Sequence, residues 1–204
     1  GYFNPLRGYL NLADTLSVAE HMRTTAGLFW PVPVVNRTGA VDAIRGARRI
    51  ALRDPNLEGQ PVLALQTVEA IEEISAGQLQ TMTHQTFGTL DPAHPGVATF
   101  TAAGKFLLSG PVEVLNYSYF EKDFPDTFRT APQIRNEIRA KGWNTVVAFQ
   151  TRNPMHRAHE ELCKMAREAV TADGILIHML LGKLKPGDIP ADVRDAAIRK
   201  IGRA

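Results

Sequence analysis

The spacing of apolar residues changes period sharply between residues 146 and 169, and this change constrains the fold more than any other feature of the chain. Val146, Val147, Ala148 and Phe149 form an unbroken apolar run with β-branched content, which suits a strand buried on both faces, as in a parallel sheet. Asn153-Pro154 then marks a turn, because a residue before proline is pushed out of the α region. Beyond the turn, Ala158, Leu162, Met165, Ala166 and Ala169 fall at i, i+4, i+7, i+8 and i+11, one apolar face of a helix. A second apolar run, Ile175 to Leu181, supplies the next buried strand. Strand, loop, helix, strand predicts an α/β unit.

In an open α/β sheet, ligands settle outside the carboxyl ends of the strands, where a helix N-terminus presents unpaired N–H groups and the positive end of its dipole. The expected ligand is an anion. The loop offers Gln150, Thr151, Arg152 and Asn153, and the first helical turn adds His156, Arg157 and His159. Donors outnumber acceptors. Glu160 and Glu161 sit where a first turn favours negative charge and are read as structural. Taken singly, a loop arginine or two histidines three apart are ordinary surface residues, and short motifs give false positives. Together, behind a buried strand, they make a candidate site.

Composition narrows the classes. With 204 residues, 44% of them hydrophobic, the chain can build a real core. The formal net charge is +2 and the charges are interspersed, which gives no case for nucleic-acid binding. The lone Cys163 excludes an internal disulfide and a Cys-based metal cluster, fits a reducing compartment, and is read as a small hydrophobe. No apolar run approaches the length of a membrane span and no signal-like segment opens the chain, so a cytoplasmic location is expected.

Ahead of the α/β unit the grammar is mixed. Asp14 is expected to cap a helix running to about Thr24, and Pro31 to Val35 an extended segment. Arg49 to Arg53 and Val62 to Leu65, around an Asp54-Pro55-Asn56 turn, read as a hairpin. A helix is expected over Gly77 to Phe87, a loop over Asp91 to Gly96, and strands at Val97 to Thr101 and from Phe106 through Leu115. Thr130 at a cap, Pro132 in the first turn and Gln133 three residues after Thr130 announce a helix that Gly142 ends. Later, His178 reads as a packed core histidine, Asp188 with Pro190 as a helix cap, and Lys183 and Lys185 as either a solvated loop or a phosphate screen; Arg194 has no assigned role.

Gln150-Thr151-Arg152-Asn153-Pro154-Met155-His156-Arg157-Ala158-His159 resembles the signature of the ATP sulfurylase (sulfate adenylyltransferase) family at every position. Other segments agree in order, among them Trp30-Pro31-Val32-Pro33, Gly88-Thr89-Leu90-Asp91-Pro92 and Gly182-Lys183-Leu184-Lys185-Pro186-Gly187-Asp188-Ile189, so the resemblance spans essentially the whole chain. It implies an N-terminal PUA-like β-rich domain over 1–122, then the first part of a Rossmann-like nucleotidyltransferase α/β domain over 123–204. A Gly-Arg-Asp-His-type motif that serves nucleotide binding in the family is expected beyond Ala204, so the resemblance implies a fragment that lacks part of the site.

The implied reaction is ATP plus sulfate giving adenylyl sulfate and pyrophosphate. By match to the motif, the catalytic residues are Thr151, Arg152 and Asn153. ATP is expected at Gln150, Thr151, Asn153, His156 and His159, and sulfate at Gln150 and Arg152. Mg²⁺ is expected to arrive with ATP, with no metal held by protein residues alone. A homo-oligomer is expected, with no nucleic acid and no membrane. The alternatives are a nucleotidyltransferase with another acceptor and a noncatalytic RNA-binding PUA-like module.

Overall fold

A computed structural model describes residues 3–181 and 187–201. The chain divides into two compact units, Phe3–Ser118 and the part from Tyr119 onward, each treated by itself.

The first unit is organised on one long strand. Its elements are β1 (Gly8–Tyr9), α1 (Leu12–His21), β2 (Asn36–Thr38), a 3₁₀ turn at Val41–Ile44, β3 (Arg49–Arg53), β4 (Val62–Thr67), β5 (Ala70–Glu73), α2 (Ala76–Phe87), α3 (Pro95–Ala102) and β6 (Phe106–Val114). β6 pairs antiparallel with β2 and β5 along its first half and with β1 and β4 along its second. The exchange of partners occurs at Gly110, whose φ of 132° and close approach to the Thr67 carbonyl leave no room for a side chain. Ala19, Ile74, Met82 and Leu107 form the core, with Leu12, Leu16, Val35, Leu79 and Phe100 packed around it. Gln66, fully buried, is satisfied by Asn36 Nδ2 at 2.7 Å and by its own donation to the Leu108 carbonyl at 3.0 Å.

Several sequence expectations are corrected here. Asn11, not Asp14, caps α1: its side chain accepts from the Asp14 N–H at 2.8 Å, and Asp14 instead accepts from the N–H and hydroxyl of Thr25. The helix stops at His21, where Met22 turns left-handed at φ 53°, short of Thr24. Val97 to Thr101 is helical rather than a strand, and the helix begins inside the expected 91–96 loop. Pro95 starts α3, and His94 Nδ1 accepts from the N–H groups of Gly96 and Val97, a cap that outweighs β propensity. β1, β5 and the 3₁₀ turn were not expected. The hairpin β3–β4 forms in antiparallel register, and α2 runs over the expected span with a complete Ser75–Gln78 capping box.

The second unit comprises α4 (Phe120–Asp123), α5 (Ala131–Ala140), β7 (Val146–Thr151), α6 (Arg157–Ala169), β8 (Gly174–Met179) and α7 (Ala191–Ile201). Both arms of the Thr130–Gln133 capping box start α5, and Gly142, at φ 69°, lies just past its end. β7 and β8 pair in parallel, Val146 opposite Gly174 through Thr151 opposite Met179. Gly174 is required because the Trp143 ring lies where a Cβ would stand. Asp173 ties the strand starts together by accepting from the N–H groups of Asn144 at 2.7 Å and Thr145 at 3.0 Å. β7 is half-buried with Ala148 exposed, not covered on both faces, because among the described residues only β8 pairs with it. α6 forms as expected but buries a different face. Cys163 is its buried residue, whereas Leu162 and Met165 are 52% and 59% exposed.

The hydrogen bonds from Thr145 and Asn144 hold the Asp173 carboxyl below its ordinary range. An unfolded aspartate titrates near about 3.9. The Asp173 contribution is therefore complete above that value and is lost as pH falls through the lower folded value. Asp173→Asn is expected to flatten the acid limb of a Tm-versus-pH curve below about pH 4, and an unchanged limb would remove Asp173 from the account.

Candidate active site

The candidate residues lie at the carboxyl ends of β7 and β8. Thr151, buried at the last position of β7, donates its hydroxyl to the Asn153 carbonyl at 2.8 Å and accepts from the Asn153 N–H at 3.1 Å. Its hydroxyl therefore shapes the loop. The buried Met155 anchors the loop again just before α6, and Asn153 between them is exposed.

His156 occupies the cap position of α6 with extended backbone. Its N–H points at His159 Nδ1, 3.4 Å away, and the two rings lie 3.9 Å apart between centroids. A neutral His159 that accepts at Nδ1 carries its proton on Nε2, so that N–H is free to meet a ligand. Phe149, at 5.5 Å between centroids, backs the His159 ring. Both imidazoles stand at the N-terminus of a 13-residue helix, where unpaired N–H groups and the helix dipole favour an anion.

Arg152 follows β7 directly. Its Nε and Nη2 form a two-point contact with the Asp188 carboxylate, at 3.2 and 2.7 Å. Hydrogen bonding to Asp188 raises the guanidinium pKa further, so Arg152 is charged at every working pH. The Asp188 side chain is 16% exposed and that of Arg152 38%. Asp188 thus serves Arg152 and does not cap α7, which starts three residues later at Ala191. Nη1 is left for another partner.

Gln150 is the predicted site residue that stands apart. Successive strand residues alternate faces. Phe149 meets α6 through His159, whereas Gln150 lines a groove of about 640 Å³ on the other side, with Ile134 and Ile138 of α5. His178, opposite Gln150 in register, is only partly buried and lines the same groove; it is not a core histidine. The structure joins Thr151 to Asn153 in the loop before α6 and His156 to His159 at its start, ties Arg152 to Asp188, and places Gln150 on the groove. Lys183 and Lys185 lie outside the described residues.

Two residues were missed in the sequence. The sequence pattern marks Asp188 only as a helix cap and gives Arg194 no role. In a βαβ unit the loops after both strands share one sheet edge, so opposite charges at Arg152 and Asp188 were the available signal. Arg194, on α7 and 2% exposed, donates from Nη1 to the Leu180 carbonyl at 2.6 Å and the Arg152 carbonyl at 3.2 Å. Nothing in its local sequence marked it as buried.

Among the described residues, no three His, Cys, Asp or Glu side chains converge to hold a metal. Asp188 is engaged by Arg152, and Glu160 by Lys164 at 2.7 Å. Burial pushes the Cys163 thiol pKa up, away from nucleophilic use. Among the described residues no helix is long and apolar enough to cross a membrane.

Residues 1–117 match the PUA-like domain family, and residues 125–203 match the ATP-sulfurylase family. Sulfate adenylyltransferase of Alcanivorax borkumensis is 67% identical over 201 residues, covering 98% of this chain and 50% of that protein. That of Allochromatium vinosum is 65% identical, with 98% and 50% covered, and that of the Riftia pachyptila sulfur-oxidizing endosymbiont 58% identical, with 98% and 45% covered. The chain spans about half the length of these curated relatives. A solved structure described as a hexameric APS kinase from Thiobacillus denitrificans is similar in fold, with a TM-score of 0.61 at 23% identity over 98% of this chain and 34% of that one. The chain therefore belongs to the PUA-like domain family over residues 1–117, and the region that follows, with Arg152, His156 and His159, matches the ATP-sulfurylase family.

Proposed function

We propose that this protein is a sulfate adenylyltransferase, moving the adenylyl group of ATP to sulfate with release of pyrophosphate. What supports the reading is a permanently charged Arg152 directly after β7, paired two-point with Asp188, together with two imidazoles at the N-terminus of the helix that follows in the same motif. Sulfate is already a dianion, so no proton has to be removed before it attacks. One sulfate oxygen bonds to the α-phosphorus while the bond from that phosphorus to the bridging oxygen breaks, and the electron pair leaves with pyrophosphate. The barrier is the approach of two anions, which positive charge and fixed donors lower.

Arg152 holds sulfate through the part of its guanidinium that Asp188 leaves free. His159 and His156 donate to the phosphates and to charge developing on the leaving pyrophosphate. Asn153, exposed in the loop, adds a donor, and Gln150 approaches sulfate from the other face of the strand. Thr151 acts by holding the Asn153 backbone. Mg²⁺ is proposed to enter on the ATP phosphates, where it neutralises charge. The buried free Cys163 fits a reducing, cytoplasmic setting.

The test is ATP formation from adenylyl sulfate and pyrophosphate by the full-length protein, together with cleavage of ATP provoked by molybdate, a sulfate analogue. Both are expected. Cleavage provoked only by carboxylate or phosphate acceptors would move the protein to a different adenylyl transfer.

A further inference from the structure

Arg194 is a buried charge that packing alone does not demand. It is 2% exposed, and among the described residues no carboxylate pairs with it. A guanidinium stripped of water without a counter-ion is costly, and an apolar side chain of similar length would fill the same space. What Arg194 does hold is specific. Nη1 reaches the carbonyls of Arg152 and Leu180, the first residues past β7 and past β8. The Leu180 N–H in turn donates to the Thr151 carbonyl at 3.1 Å. One nitrogen therefore fastens together the two backbone segments from which the anion site rises, and its charge lies beneath the Arg152 backbone, where water cannot screen it.

We propose that Arg194 is a positioning residue for sulfate: it fixes the backbone origin of the Arg152 side chain and adds a second, buried positive charge to the anion site. This rests on the sulfurylase reading. A nearby phosphate group would feel the same charge, but the backbone held is that of Arg152, so the effect falls on the anion that Arg152 binds. Loss of a direct donor costs a hundredfold or more; loss of the residue that aims one is expected to cost roughly tenfold.

The experiment compares Arg194→Met and Arg194→Lys in the full-length protein. It reads sulfate affinity by calorimetry, with and without a non-hydrolysable ATP analogue, alongside KM for sulfate and for ATP. Arg194→Met is expected to raise the sulfate Kd and KM roughly tenfold while the ATP KM changes less than about twofold. Lysine keeps the charge and one nitrogen able to reach both carbonyls, so Arg194→Lys is expected to stay within about threefold of the parent. If Arg194→Met does not fold, Arg194→Gln against Arg194→Lys isolates the charge, comparing a donor alone with a donor that carries charge. Unchanged sulfate affinity in the charge-free variant, or equal losses for sulfate and ATP in both variants, overturns the proposal. A parent protein that forms ATP while the charge-free variant binds sulfate normally sinks this inference alone. A parent that binds sulfate but forms no ATP sinks the sulfurylase reading and leaves calorimetry to judge Arg194.

Discussion

Arg152→Ala is expected to lower ATP formation from adenylyl sulfate and pyrophosphate by roughly a thousandfold, at the upper end of what removal of one preorganised donor costs. Two effects add. The substitution deletes the fork that would hold sulfate, and it leaves the Asp188 carboxylate, 16% exposed, without its two-point partner beside the anion site. The second effect is repulsion and can be separated from the first. Arg152→Ala with Asp188→Asn should recover about tenfold over Arg152→Ala alone if the charge of a carboxylate that has lost its guanidinium partner is part of the loss, a coupling typical of residues in one charge network. Arg152→Lys should retain more activity than alanine but remain well below the parent, because a point charge cannot serve a carboxylate and a sulfate through one planar fork. An Arg152→Ala protein within tenfold of the parent would remove Arg152 from the reaction.

The parts of this molecule that could be read directly were those in which local chemistry and tertiary packing agree. The Thr130–Gln133 capping box, Gly142 past the end of α5, the β7 apolar run and the start of α6 all involve residues close in sequence whose bonding partners are local. Where long-range packing decides, the pattern misled. Leu162 and Met165 lie on the most apolar stripe of α6, yet both are exposed, whereas Cys163 is buried as a small hydrophobe and the His159 ring packs on Phe149. Val97 to Thr101 looked like a strand by composition, but the His94 cap and Pro95 commit the segment to a helix, and Phe87 packs on both the His94 and Phe100 rings.

The same distinction applies to the site. Arg152, His156 and His159 can be proposed from the sequence because their order behind a strand carries their chemistry. The Arg152–Asp188 pair spans 36 residues and the Arg194 contact to the Arg152 carbonyl spans 42. Only the shared sheet edge unites them. The motif identifies groups that would touch ligand, whereas the groups that aim them come from a later loop and helix.

His159 offers a test that separates aiming from contact. Its Nδ1 accepts from the His156 N–H, and the proposed mechanism uses Nε2 as the donor to the phosphates, so the proposal gives one ring two functions at opposite edges. Asparagine places a side-chain oxygen near the Nδ1 position but cannot reach as far as Nε2, whereas glutamine extends an amide N–H toward Nε2 and does not reproduce the short cap. If charge stabilisation at the phosphates is what His159 supplies, His159→Asn should keep the start of α6 intact and still lose roughly a hundredfold in kcat, with stability near that of the parent. His159→Gln should show the reverse: some loss of stability, about 0.5–2 kcal/mol for a weakened cap, and a smaller loss of kcat. Thermal unfolding and single-turnover ATP formation on the two proteins make the comparison. Equal activity in both would mean that the Nε2 donor is not used, and the His-x-x-His pair would then be an element of the helix start with the anion held by Arg152 and the helix N–H groups alone.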